Sequence, residues 1–213
     1  MPFSLPAPAA TAPTHLLYLH GFRSSPKSFK AQRLATWLAA HRPDIHWWCP
    51  QLPPSPREAM ALVMEGTAGW PASTSAVLGS SLGGFYATAV AQARGWPSVV
   101  MNPAVDPARD LAAYIGEQRA FHTPEEAFYF RAGYIDELRT LDAGPLQQPE
   151  RCFAIIAQGD ELLSWEEMAA RYAGAQQHVI AGSDHALSDF DSHLPALLHF
   201  LQLDSNAPAS TSA

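Results

Sequence analysis

The residues most able to do chemistry in this sequence are a serine, a histidine and an aspartate, each in a turn-rich setting. Gly79-Ser80-Ser81-Leu82-Gly83 is a G-x-S-x-G run. It follows the apolar stretch Ala76-Val77-Leu78 and precedes an alanine-rich helical pattern, the strand-to-helix context that such a serine requires. A serine in so tight a turn takes a strained backbone, and Gly79, Gly83 and Gly84 leave room for it. Ser81 would stand at a helix N-terminus, where free N–H groups can stabilise negative charge developing on a substrate oxygen. The Leu82 N–H is the expected first donor. Ser80 is excluded as the nucleophile because Leu78 occupies the upstream position where a glycine is needed. A phosphate loop could share this glycine-rich turn, but no G-x-x-x-x-G-K-[ST] run exists and no lysine lies near.

A serine hydroxyl needs a base within hydrogen-bond reach and a group that orients the base. The run Phe153-Ala154-Ile155-Ile156-Ala157 reads as a buried strand ending in Gln158-Gly159-Asp160, a turn with a carboxylate. After the next strand, Gly182-Ser183-Asp184-His185 places a histidine in a loop. Asp160 and His185 therefore fit as acid and base, in the chain order serine, acid, histidine that α/β-hydrolases use. Two other acids compete with Asp160: Asp106 follows the preceding strand, and Asp184 adjoins the histidine. Of the nine histidines, His178 lies in or beside a strand, and His193 and His199 belong to the last helix. Tyr18-Leu19-His20-Gly21-Phe22 runs from a strand into a turn, where a second oxyanion donor is expected, here the Phe22 N–H. His20 reads as a hydrogen-bonded residue that shapes this loop.

The elements that must position these residues are short apolar runs alternating with helical patterns, as in a parallel sheet covered on both faces. The strands read as Leu16–His20, Ile45–Cys49, Ala76–Ser80, Ser98–Met101, Phe153–Ala157 and His178–Ile180. Ser55 with Glu58, Thr123 with Glu126 and Ser164 with Glu167 have capping-box spacing, and Pro56 and Pro124 follow the first two caps. Leu194, Leu197, Leu198 and Leu201 define a last helix with Pro195 in its first turn. Between Asn102 and Arg151 two helical patterns, Pro107–Ile115 and Pro124–Leu141, suggest a helical cap over the strand ends at about 103–150. Its aromatics, Phe128, Tyr129, Phe130 and Tyr134, could line an acyl pocket or form the insertion's own core. Phe22, Trp47, Trp48 and Phe85 also hint at an apolar pocket, with core packing the default for Trp47 and Phe85.

Bulk properties narrow the classes. The 213 residues are 47% hydrophobic and 15% charged, which suits one folded domain. The expected domain spans 15–203, with flexible tails at 1–14 and 204–213. A net charge of −7 with only two lysines leaves no basic stripe for nucleic acid. No run approaches the roughly 20 apolar residues of a membrane span. The proline-broken opening has no positive leader, so the chain is expected in the cytoplasm. Cys49 and Cys152 fall near opposite ends of the sheet and read as free thiols.

Taken together, YLHGF-x-SSP, GSSLGG-[FY], NPAV, a strand ending QGDE and a late GSDHA resemble the YqiA-like bacterial esterases, over about Leu16 to Leu203. The resemblance implies an α/β-hydrolase fold, a mainly parallel sheet of about six strands, with Ser81, Asp160 and His185 at the family's triad positions. It implies hydrolysis of a small-molecule acyl ester or thioester without metal or organic cofactor, and with the aromatics above the expected acyl groups are small or medium and apolar. NPAV (Asn102 to Val105) is shared with that family, its purpose not visible from the residues. The family's histidine often follows GG-D, where this chain has Gly182-Ser183-Asp184. A thioesterase or other triad hydrolase shares these signals. From another class, a catalytically quiet protein of the same fold could bind a ligand, although it would have no need of all three residues. Substrate-binding residues and oligomeric state are not legible.

Overall fold

The six apolar runs form one parallel sheet. The computed structural model describes residue 9 and residues 11–204, so the expected tails lie largely outside the described residues. In chain order the elements are β1 (His15–Leu19), α1 (Phe29–His41), β2 (His46–Trp48), α2 (Pro56–Gly66), β3 (Ser75–Ser80), α3 (Leu82–Arg94), β4 (Ser98–Met101), α4 (Pro107–Asp110), β5 (Gly116–Arg119), β6 (Ala127–Phe130), α5 (Gly133–Thr140), β7 (Cys152–Ala157), α6 (Trp165–Arg171), β8 (Gln176–Ile180) and α7 (Phe190–Phe200). The sheet runs β2-β1-β3-β4-β7-β8, every neighbour parallel.

β3 and β7 are buried at every residue, because helices cover both faces of the sheet. Leu17, Leu19, Val77, Val100 and Ile156 pack on one face with Val63 of α2, Val90 of α3 and Met168 of α6. Leu16, Tyr18, Leu78, Met101 and Ile155 take the other, against Leu34 of α1 and Leu197 of α7. The alternation follows from the two-residue period of a strand. Each fully buried leucine, isoleucine or valine contributes roughly 1.5–3 kcal/mol, so a polar residue at any of these positions would be costly.

Local signals behave as their chemistry requires at two of the three expected caps. Ser55 Oγ accepts from Glu58 N at 3.2 Å and Ser164 Oγ from Glu167 N at 3.1 Å. Thr123 does not start a helix: Glu126 N donates to Thr123 O at 2.8 Å, closing a turn between β5 and β6. The expected helix over Pro124–Leu141 is therefore a strand followed by a helix, and the insertion is an antiparallel hairpin flanked by short helices. The reason lies in burial: Phe128 and Phe130 turn inward while Ala127 and Tyr129 turn out, a two-residue period. The other expected cap helix shrinks to the single turn α4 and a 3-10 turn at Ala112–Tyr114. Pro195 lies inside α7 beyond its first turn, since the fully buried Phe190 already starts the helix.

Cys49, the residue after β2, and Cys152, the first residue of β7, are free, and their strands lie four positions apart in the sheet. Burial pushes their thiols up to about 12 and about 11, so neither offers a competing nucleophile. Among the described residues, no helix is long and apolar enough to cross a membrane.

Candidate active site

The chain builds β1, steps outward to β2, then returns to β3 on the other side of β1. This reversal opens a crevice at the carboxyl ends of β1 and β3, the place where open α/β sheets bind ligands. The loop after β1 carries His20, Gly21 and Phe22, and the residue after β3 is Ser81. Asp160 and His185 follow β7 and β8 at the same end of the sheet.

Ser81 has φ 56° and ψ −125°, a conformation that costs an L-residue about 1–3 kcal/mol and persists only where neighbours over-determine it. The neighbours are visible. Ser81 N donates to Met101 O at 3.0 Å, and Ser81 O accepts from Gly84 N at 2.8 Å and Ala104 N at 3.0 Å. A Cβ on Gly79 would lie 2.0 Å from Gly83 O, and one on Gly83 would lie 1.9 Å from Leu19 O. Both positions need glycine because backbone approaches backbone there, which is how the motif holds the elbow closed.

Three expected residues converge. Ser81 Oγ lies 2.9 Å from His185 Nε2, and His185 Nδ1 lies 2.7 Å from Asp160 Oδ2. With the Nδ1 proton donated to the carboxylate, Nε2 is free to accept from the serine hydroxyl. The Asp160 side chain is 0% exposed, and its Oδ1 accepts from Leu162 N at 2.9 Å and Leu163 N at 2.8 Å. Both rival acids are engaged elsewhere. Asp106 caps α4 by accepting from Arg109 N, and Asp184 accepts from Ser188 N and Ser188 Oγ. His178 pairs with His193, and His199 with Asp204.

Among the described residues, the Leu82 and Phe22 N–H groups have no backbone acceptor. Phe22 sits in a turn closed by Ser24 N donating to Gly21 O, beside the left-handed Arg23 (φ 60°). His20 locks this turn. Its Nε2 accepts from Leu52 N at 3.1 Å, so Nδ1 carries the proton and donates to Gly21 O at 3.0 Å. Burial lowers the His20 imidazole to about 4, which keeps it neutral.

Two cavities meet at this loop. One, of about 510 Å³, holds Ser81, His185, Lys30 and His122. The other, of about 560 Å³, is lined by Leu52, Leu62, Leu82, Tyr86 and Phe128. Of the four aromatics expected near a pocket, Phe22 lines both clefts. Trp47 packs on Tyr18, Trp48 on Trp70, and Phe85 is buried in the core. The ring centroid of Phe22 lies 5.1 Å from that of Phe130 and 6.0 Å from that of Phe128, so the insertion's aromatics brace the turn.

Sequence reasoning missed the tethers of the histidine loop. Asn102, fully buried at φ 41°, donates through Nδ2 to Asp184 O (2.9 Å) and His185 O (3.2 Å), while its Oδ1 accepts from Ala157 N (2.8 Å). The Asn-Pro-Ala segment thus braces the serine elbow through Ala104 and the histidine loop through Asn102. Glu161 Oε2 accepts from His185 N at 3.0 Å. Among the described residues, no group of three His, Cys, Asp or Glu is arranged to hold a metal ion.

Comparison with known proteins agrees with this architecture. The model of a family described as "Uncharacterised protein family (UPF0227)" matches residues 15–202. The chain is similar to a structure of the metagenome-derived lipolytic enzymes LipS and LipT, with 17% identity, 90% of this chain and 94% of that one covered, and a TM-score of 0.66. It is similar to ferulic acid-bound Est1E from Butyrivibrio proteoclasticus, with 12% identity, coverage of 93% and 89%, and a TM-score of 0.64. Mouse alpha/beta hydrolase domain-containing protein 10 matches at 16% identity, covering 88% of each chain, with a TM-score of 0.63. At such identities the likeness shows the fold, that of the α/β-hydrolases.

Proposed function

The chain belongs to the uncharacterised protein family UPF0227, and we propose that it is a serine esterase in which Ser81, His185 and Asp160 act as a catalytic triad. The observation that carries this reading is the unbroken chain from Ser81 Oγ through His185 to the buried Asp160 carboxylate, at 2.9 and 2.7 Å. It begins on a serine held in a strained turn inside a cleft. Neighbours of the same fold described as lipolytic enzymes and as an esterase domain add to it.

In this reading Ser81 Oγ attacks the carbonyl carbon of an acyl ester while His185 Nε2 takes its proton. The Leu82 and Phe22 N–H groups hold the oxyanion, and Asp160 keeps the imidazole in the tautomer that accepts. His185 returns the proton to the departing alcohol. Water, deprotonated by the same histidine, then releases the acid and regenerates Ser81. General-base catalysis contributes about 10²–10⁴-fold and an oxyanion donor about 10²–10³-fold. Residues 15–203 act as one domain, with about 103–150 as a cap whose aromatics support Phe22.

The test is hydrolysis of short acyl p-nitrophenyl esters together with labelling by a fluorophosphonate. The native protein turns over and is labelled at Ser81, and a folded Ser81→Ala protein does neither. Retained turnover and labelling in that variant would defeat the assignment. An acyl thioester series in the same assay reads the leaving-group preference.

A further inference from the structure

One of the chain's two lysines is buried beside the candidate nucleophile. Lys30, on the first turn of α1, is 8% exposed and lines the same cavity as Ser81 and His185. Its Nζ donates to Ala186 O, the carbonyl just after His185. Among the described residues no carboxylate lies within 4.0 Å of it, although Asp184 and Asp160 are near enough to favour its charge. A buried ammonium is stable when it is paired and all three protons are used. Here one acceptor is in place, and the remaining donor capacity belongs to a group that borders a cleft.

The surroundings point the same way. Ser28, the residue before α1, makes no side-chain cap. Its Oγ is fully buried against the Tyr18 hydroxyl, so it backs the cavity wall and leaves Lys30 as the polar side chain of this turn that can reach a ligand. The helix N-terminus favours negative charge at this spot. His122, from the hairpin turn, lines the same wall, its Nδ1 held 3.1 Å from Ser25 Oγ. A buried ammonium on the first turn of a helix, lining the cavity that holds Ser81, makes an anion-recognising wall. The adjoining cleft, across Phe22, is mostly apolar, with Leu52, Leu62, Leu82 and Phe128 in its lining and Arg23, Gln51 and Glu126 among its polar members.

Resting on the serine esterase reading, we propose that the substrate is an acyl ester carrying an anionic group, a carboxylate or a phosphate, which Lys30 binds in the cavity that holds Ser81, while an apolar portion lies across Phe22. Burial lowers the Lys30 ammonium to about 8, so it remains mostly charged near neutrality.

Two arms of a kinetic test separate the sources of the anion. The acyl-side arm compares p-nitrophenyl hydrogen glutarate with its neutral methyl ester. The alcohol-side arm compares glyceryl butyrate 3-phosphate with glyceryl monobutyrate. The native protein should favour the anionic member at least tenfold in kcat/KM in one arm, and Lys30→Met should bring that ratio to within about twofold of unity. The ratio is taken within each protein, so a loss common to both substrates, as from a loosened Ala186 tether, cancels. A ratio near unity in both arms for the native protein, or one that survives in Lys30→Met, overturns the proposal. Equilibrium binding of glutarate and of inorganic phosphate to Ser81→Ala protein, with and without Lys30→Met, reads the wall without turnover. Binding of either ion that weakens at least tenfold without the lysine supports the anion site, even if Ser81 fails its own test. Binding of neither, or equal binding in both proteins, overturns it.

Discussion

Acidification should unfold this protein partly through one residue. His20 is 4% exposed, accepts from Leu52 N and donates to Gly21 O, so a second ring proton would have to displace the Leu52 N–H. Burial lowers its folded value from 6.5 to about 4. Below 6.5 the unfolded chain binds a proton that the folded chain refuses, so stability falls as pH drops through this window and levels off below about 4. At about 1.4 kcal/mol per pH unit, the whole window corresponds to roughly 3 kcal/mol. Urea unfolding followed by tryptophan fluorescence, from about pH 7 to about pH 4, measures it against a His20→Gln protein. The variant loses about 1–3 kcal/mol at neutral pH if its amide fails to meet Leu52 N. Its stability then falls less steeply on acidification, and the balance between the two proteins should move by roughly 3 kcal/mol in the variant's favour, closing or reversing its deficit. Other histidines, such as His178, whose ring burial also lowers, contribute equally to both proteins and cancel. Parallel curves for the two proteins would refute the reasoning.

Removing the amide in Asn102→Ala strands the buried Ala157 N–H and puts alanine at φ 41°, costing about 2–5 kcal/mol together. The melting temperature should fall by roughly 5–15 °C, and fluorophosphonate labelling of the still-folded protein at low temperature should slow, because His185 loses a tether. An unchanged labelling rate would show that Asn102 only stabilises the fold. Gly83→Ala places a methyl 1.9 Å from Leu19 O, so β1 or the elbow must shift at a cost of about 1–3 kcal/mol or more. Soluble yield and labelling should both drop, and a native-like, fully labelled variant would contradict the close approach.

Strands and caps were legible because their signals are short-range. An apolar run that is buried on both faces names itself, and Ser55 needs only Glu58, three residues away, to cap a helix. The hairpin at 116–130 was not legible. Thr123 and Glu126 have the spacing of a capping box, which is also that of a turn, and Phe128-Tyr129-Phe130 fits either period until Phe22 selects one face. Asn102 stood out only as part of the NPAV run, with nothing local to give its purpose, and Lys30 carried no mark at all. Their partners lie at separations of 82, 83 and 156 residues. By itself the sequence determined which residues could serve as nucleophile, acid and base, since each stands in a turn after its own strand. Only the tertiary structure decided that these turns meet, that Asn102 ties two of them together and that a buried ammonium faces the same cleft. Hydrophobic period and capping are set within a few residues. Which strand ends converge depends on the order of the whole sheet, and that order reverses between β1 and β3.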